Sequence, residues 1–210
     1  MEIEIQHSLD IAMEGIEDFF EREIPFVMSQ ALNDTAFDAR KRIVGSTYPK
    51  AFRVKNKRFA GRTFRVLKKA DKYDLHSMIG DDLGRDYLMR HITGGIKTPK
   101  GSTSLAIPRQ PGLLRGVSGQ ILKRNKPRRI TDKKDTFLIS RGSKKIGIFK
   151  RVGKGKGGLQ KMYGFHKEAR IDRKFRFYRD AEDTALRVFP GHFFTRMKRV
   201  AARSMVFSGE

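Results

Sequence analysis

The chain contains no cysteine and no tryptophan, and only seven prolines among its 210 residues. Without cysteine there are no disulfides, no thiolate nucleophile and no cysteine-ligated zinc. No apolar run approaches the eighteen or so residues that a membrane-spanning helix needs. The first residues are acidic rather than apolar or arginine-rich, so no signal or transit peptide is expected and the chain is expected to stay in a cytoplasm-like space. Metal and catalytic signatures are missing too. His7, His76, His91, His166 and His192 form no HxH or HxxxH pair, and no carboxylate cluster completes a metal site. Serine and threonine lack an elbow or triad context. Asp81 and Asp82 are neighbours, which suits a turn better than a metal-dependent nuclease site. No catalytic residue, metal or cofactor is assigned.

Positive charge is abundant. The formal net charge is +23, with 46 Lys and Arg against 23 Asp and Glu. Self-repulsion on that scale calls for anions nearby, with nucleic acid the first candidate and an acidic membrane surface the second. The charge is also unevenly spread. Met1 to Asp38 holds ten carboxylates and one arginine, and the remainder holds 45 basic and 13 acidic residues. Such asymmetry suggests that the acidic arm folds back on the basic body or docks on a neighbouring copy.

Hydrophobic residues make up 38% of the chain and include sixteen phenylalanines, so the core is expected to be built largely from phenylalanine. Periodicity predicts a helix over Leu9 to Glu23, with Leu9, Met13, Ile16, Phe20 and Ile24 on one face and Glu14, Glu17, Asp18 and Glu21 opposite. Pro25 interrupts or restarts it. A second helix follows from about Pro25 to Ile43, with Val27, Met28, Ala31, Leu32, Thr35, Ala36, Ala39 and Ile43 as its apolar row and Gly45 as its end. Thr63 to Ala70 reads as a strand paired with Asp74 to Ile79, then a turn over Asp81 to Gly84 and a short helix over Arg85 to His91. Ser104 to Ile107 is strand-like, Leu113 to Ile121 suggests a short helix, and Lys123 to Lys134 reads as a solvated, mobile basic connector. Asp180, Glu182 and Asp183 are placed at a helix start. A final helix is expected from Pro190 or Gly191 to about Ser204, with Phe193, Phe194, Met197, Val200 and Ala201 inward and Arg196 outward.

The most distinctive stretch is Gly147 to Phe165. Thr136 to Ser140 and Lys145 to Arg151 read as strands, and Leu159 to Phe165 as the returning strand. Between the last two, Arg151 to Gly158 holds three cations, four glycines and no acid. The loop fails the Walker pattern, since no Gly-Lys is followed by Ser or Thr, and it joins two strands rather than a strand and a helix. It reads as a flexible hairpin tip whose charges can touch a phosphate backbone without reading sequence. Phenylalanines interleaved with cations raise the possibility of base stacking. Phe149 and Phe177, however, alternate with charges as core positions on half-buried strands do, and no RNP-type, KH or helix-turn-helix pattern is legible. The fold class is α+β: N- and C-terminal helices packed on a small antiparallel sheet, with long basic loops. Residues 1–24 form an acidic arm and 25–210 one domain.

The order of parts resembles a known family. The helix Val27-Met-Ser-Gln-Ala-Leu-Asn-Asp-Thr-Ala-Phe-Asp-Ala-Arg40 is followed by a basic, Phe-containing stretch and by Ser104-Leu-Ala-Ile-Pro108. Then come Ile148-Phe-Lys-Arg-Val-Gly-Lys154, Leu159-Gln-Lys-Met-Tyr-Gly-Phe165 and the terminal Phe189-Pro-Gly-His-Phe-Phe-Thr-Arg-Met-Lys198. This resembles the minor tail protein Z and tail-completion (neck) proteins of long-tailed bacteriophages. The chain departs from that pattern in its acidic arm before Glu23 and its long Lys123 to Lys134 segment.

The resemblance implies a non-enzymatic virion component of the neck or upper tail, assembled in the host cytoplasm. It would join tail to head as a homo-oligomeric ring, next to tail-tube or terminator and portal or neck proteins, and touch the genome end. On that reading Arg151, Lys154, Lys156 and Lys161 contact DNA phosphates, with Lys126, Arg128 and Arg129 as a second set. Glu14, Glu17, Asp18 and Glu21 make inter-subunit contacts. The alternative is a free non-specific nucleic-acid-binding protein of ribosomal or nucleoid type. A third class, an enzyme, would rest on Asp81 or His91.

Overall fold

A computed structural model describes residues 19–109, 113, 115–116, 119–153 and 158–207. It is an α+β protein, as the sequence implies, and its helices and antiparallel sheets fall into two compact units. One unit combines residues up to Arg53, Lys57–Asp86 and Phe175 onward; the other comprises Val54–Asn56 and Tyr87–Lys174. The sequence reading takes 25–210 as one domain; along the chain the second unit interrupts the first twice, briefly over Val54–Asn56 and then over Tyr87–Lys174.

The first unit is organised by two helices. Helix α1 (Ile24–Arg42) buries Val27, Ala31, Thr35, Ala36 and Ala39, which belong to the predicted apolar row, and Pro25 sits in its first turn where no N–H is needed. Residues Phe19–Glu23 run straight into it as a wider π-type turn. Gly45 does not end the helix. A second π-type turn (Ile43–Thr47) carries the chain through it into α2 (Tyr48–Ala51), and Phe52 is the first extended residue. Buried Ile43 and Thr47 hold this turn down more firmly than one glycine loosens it.

Helix α6 (Phe177–Phe207) starts thirteen residues before the predicted position and passes through Pro190. Asp180, Glu182 and Asp183 lie in its opening turns, as expected. A proline inside a helix frees the carbonyl four residues earlier. Here that residue is Leu186, 72% exposed, so water can satisfy the group.

The two helices run antiparallel, because Gln30 and Asp34, then Asp38, then Thr47 meet Arg196, His192 and Asp180 in descending order. Arg196 therefore points inward, contrary to expectation. Its Nε and Nη2 donate to Asp34 Oδ2 at 2.9 and 2.6 Å, and Nη1 donates to Gln30 Oε1 at 2.6 Å. Phe194, expected inward, is 63% exposed. Replacing Arg196 with methionine keeps the apolar stem and removes three charge-assisted bonds. The expected loss is about 1.5 kcal/mol, reduced from the buried-pair range because the group is partly solvated, and a urea midpoint measures it.

Beside these helices lie α3 (Lys57–Thr63) and the hairpin β1 (Phe64–Lys68) and β2 (Met78–Asp81), antiparallel as predicted. Asn33 ties α1 to the chain after β1 by exchanging two 2.8 Å bonds with the backbone of Ala70. Arg40 donates to the carbonyls of Phe64 and Gly61 at 2.8 and 2.9 Å. The expected phenylalanine core is found in this unit: Phe64 and Phe175 are almost wholly buried and surrounded by Tyr48, Phe52 and Phe177.

The second unit begins with most of α4 (Asp86–Thr93) and holds a short ribbon of β3 (Gly95–Lys97) with β8 (Ala169–Ile171). Its main element is a four-stranded antiparallel sheet of β4 (Leu105–Pro108), β5 (Thr136–Arg141), β6 (Lys144–Arg151) and β7 (Leu159–His166), in the order β4-β7-β6-β5. Its core is aliphatic and tyrosyl rather than phenylalanyl: Leu113, Ile130, Ile148, Met162 and Tyr163, with Ala106, Ile121 and Phe165 packed against them.

Two predicted features of this unit differ. The described residues between Leu113 and Ile121 do not form the predicted helix. Arg115 and Ile121 form an antiparallel bridge, and the Gly119 N–H donates to the Gly116 carbonyl at 2.8 Å. Gly119 has φ of +78°, a conformation that breaks a helix and suits a tight reversal. The Lys123 to Lys134 segment is built into the fold. It contains a 3-10 turn (Lys123–Asn125) and α5 (Pro127–Ile130), with Ile130 buried in the core. Tyr163 Oη donates to the Asn125 carbonyl at 2.6 Å, and Lys133 Nζ donates to Asn125 Oδ1 at 2.8 Å. The segment's charges are solvated as predicted, while its backbone is anchored by two buried residues that its composition hides.

Candidate nucleic-acid interface

The Ile130 and Tyr163 anchors stand the segment's cations beside one face of the sheet. A groove of about 870 Å³ results, with Lys100, Lys123, Lys126, Arg128, Arg129 and Lys145 among its lining residues and no carboxylate. Its apolar part is Ala106, Leu138, Ile148 and Phe165, from four adjacent strands. Leu138 pairs with Ile148 and Ala106 with Phe165, so pleating brings each pair to the same face. Ser102, Thr103, Ser104 and Thr131 add hydroxyls. A smaller groove of about 340 Å³ shares Thr103, Ser104, Lys145 and Phe165 with it and adds Lys144, His166 and Lys167. Six cations lining one groove focus a positive potential and suit a polyanion whose phosphates are spaced along a chain.

The predicted second set, Lys126, Arg128 and Arg129, is therefore brought together. Lys123 of the same segment joins it, and Lys100 and Lys145 reach it through tertiary packing. In the first set, Lys154 and Lys156 lie outside the described residues. The strands on either side of them, β6 and β7, pair antiparallel as predicted, and the Val152 N–H donates to the Gly158 carbonyl at 2.5 Å. Arg151 and Lys161 do not join the groove lining. The Arg151 guanidinium lies 5.5 Å above the Phe137 ring, and Lys161 Nζ lies 5.7 Å above the Phe149 ring. These rings belong to strand positions alternating with those that line the groove, so they occupy the sheet's other face. Of the acidic candidates, Glu14, Glu17 and Asp18 lie outside the described residues, and Glu21 is exposed. Among the described residues, Asp34 and Asp38 pair with Arg196 and His192.

The residues that an enzyme reading would use have structural surroundings. Asp81 accepts from the backbone N–H groups of Leu83 and Arg85 at 3.1 and 2.8 Å and pairs with the Arg85 guanidinium. That is the predicted turn, closed by Gly84 at φ +55°. Burial, and next the charge of Lys174, hold the His91 imidazolium below its ordinary pKa, against a backbone hydrogen bond at Asp172 that favours the protonated form. A lowered pKa means that the unfolded chain takes up the proton first. This group's contribution to stability is therefore full above about pH 6.5 and is lost as pH falls through the folded value. NMR titration of the His91 ring is expected to give a midpoint below that of a free histidine, with the urea midpoint falling over the same acid range.

Compared with known proteins, the chain matches no family model, no curated protein and no solved structure. Among the described residues no group of three or more His, Asp or Glu side chains is placed to hold a metal ion, and no helix is long and apolar enough to cross a membrane.

Proposed function

We propose that the protein is a non-enzymatic structural component of a tailed bacteriophage particle, a tail-completion or neck protein. On this reading it acts as a ring of identical copies joining tail to head and holds genome DNA through phosphate contacts. The observation that carries the DNA part is the groove lined by six cations and no carboxylate. The order of sequence blocks carries the virion part.

The mechanism is electrostatic and mechanical. Each lysine or arginine that neutralises a phosphate releases condensed counterions, so binding is sequence-independent and salt-sensitive. Repeating one groove around a ring multiplies the number of contacts while each stays individually weak, which lets DNA be held and still slide. Head-to-tail contacts between copies close such a ring. The groove serves a free nucleic-acid-binding protein equally well, so the deciding experiment concerns location. Quantitative mass spectrometry of purified particles of the encoding phage, followed by a particle map, is expected to give a fixed copy number at the neck or upper tail. Absence from particles, with DNA affinity retained in solution, overturns the virion reading in favour of the free binder.

A further inference from the structure

The sheet face opposite the groove carries an arrangement that phosphate binding alone does not need. Phe137 of β5 and Phe149 of β6 are directly opposed in register, and both are half-buried. Neither belongs to the hydrophobic cluster of this unit, which draws on the alternate positions Ile148 and Tyr163. A bulge in the β6–β7 pairing places Lys161 opposite Phe149 while Met162 and Tyr163 stay in the core. Gly147 lies beside them, and the Lys161 stem crosses it: a Cβ built there would fall 2.9 Å from Lys161 Cε. Phe137 and Phe149 are thus side by side on one face, each with a long-stemmed cation above it.

We propose that this face stacks the unpaired bases of single-stranded nucleic acid. Both cations stand 5.5 Å or more from the ring centroids. At that range a cation over an aromatic ring is worth about a two- to fivefold factor in an equilibrium. Stacking one base on an aromatic side chain is worth roughly five- to 150-fold. A base therefore displaces Arg151 or Lys161 from its ring, and the released cation meets the phosphate that arrives with the base. A duplex cannot make this exchange, because its base faces are already stacked. The site uses residues outside the groove and stands independently of the virion reading.

The test compares a labelled oligodeoxythymidine with a blunt duplex of the same length. Phe137→Leu/Phe149→Leu keeps apolar bulk and removes the π faces. It is expected to weaken single-strand binding by about tenfold or more and leave duplex binding unchanged. Arg151→Gln/Lys161→Gln is expected to lower the single-strand salt slope by about 1.4. Single-strand affinity equal to wild type in the folded leucine variant overturns the proposal. If that variant unfolds, an unchanged salt slope in the glutamine variant overturns it instead. Wild-type failure to bind duplex would strike the DNA contact proposed for the groove and leave this site standing.

Discussion

Replacing Lys126, Arg128 and Arg129 together with glutamine is expected to cut duplex DNA affinity on the order of several hundredfold at 0.1 M salt. The size follows from counterion release, in which each phosphate contact contributes about 0.9 to the slope of log affinity against log salt. Removing three contacts lowers that slope by about 2.7, and extrapolation to 1 M salt brings variant and wild type together. All three side chains are exposed, and the anchors Asn125 and Ile130 are untouched. Melting should therefore move within the small range of surface substitutions, about 0.5 kcal/mol. Fluorescence anisotropy across a salt series reads both quantities. An unchanged slope would mean that DNA does not enter the groove. A changed slope with unchanged base preference is the expected signature of contacts that position without reading sequence.

The largest loss of stability is expected at Phe175. Its ring is 1% exposed and lies 5.5 Å from those of Phe52 and Phe64, 5.8 Å from Phe177 and 6.2 Å from Tyr48. Phe175→Ala removes the shared partner of four aromatic neighbours and opens a cavity that their stiff rings cannot collapse into. The cost is about 3–5 kcal/mol, a large part of the 5–15 kcal/mol by which a domain is ordinarily stable. Phe175→Leu refills most of the volume and is expected to lose less than half as much. Urea unfolding followed by far-UV circular dichroism, suited to a chain without tryptophan, separates the two. Equal losses would show that specific ring geometry outweighs filled volume.

The legible parts of the fold were those written in local periodicity. Helix α1 and the β1–β2 hairpin could be read from their apolar spacing, and the β5–β6–β7 meander from apolar spacing and turn glycines together. What escaped depends on distant partners. Nothing near Pro190 says that a helix continues through it; Asp34, Asp38 and Thr47 hold α6 along its length from more than a hundred residues away. The 123–134 segment reads as solvent-exposed because ten of its twelve residues are polar or charged apart from Pro127 and Ile130. Its order comes from Ile130 and from the Tyr163 hydroxyl on the Asn125 carbonyl. The groove was half visible for the same reason. Lys126, Arg128 and Arg129 form a local run, whereas Lys100 and Lys145 reach it only once the strands are registered. Phe149 resembles a core residue in the sequence. Only its pairing with Phe137, on the face away from Ile148, shows that it is not one.

The discontinuity of the first unit has a consequence for synthesis on the ribosome. Its aromatic cluster needs Phe64 from one portion and Phe175 from another, and α1 needs α6. The inserted unit, from Tyr87 to Lys174, can therefore close while α1 and the first hairpin are still waiting for their partners to emerge. During that interval the nascent chain displays phenylalanine surface that later disappears, the kind of transient exposure on which holding chaperones act and from which aggregation starts.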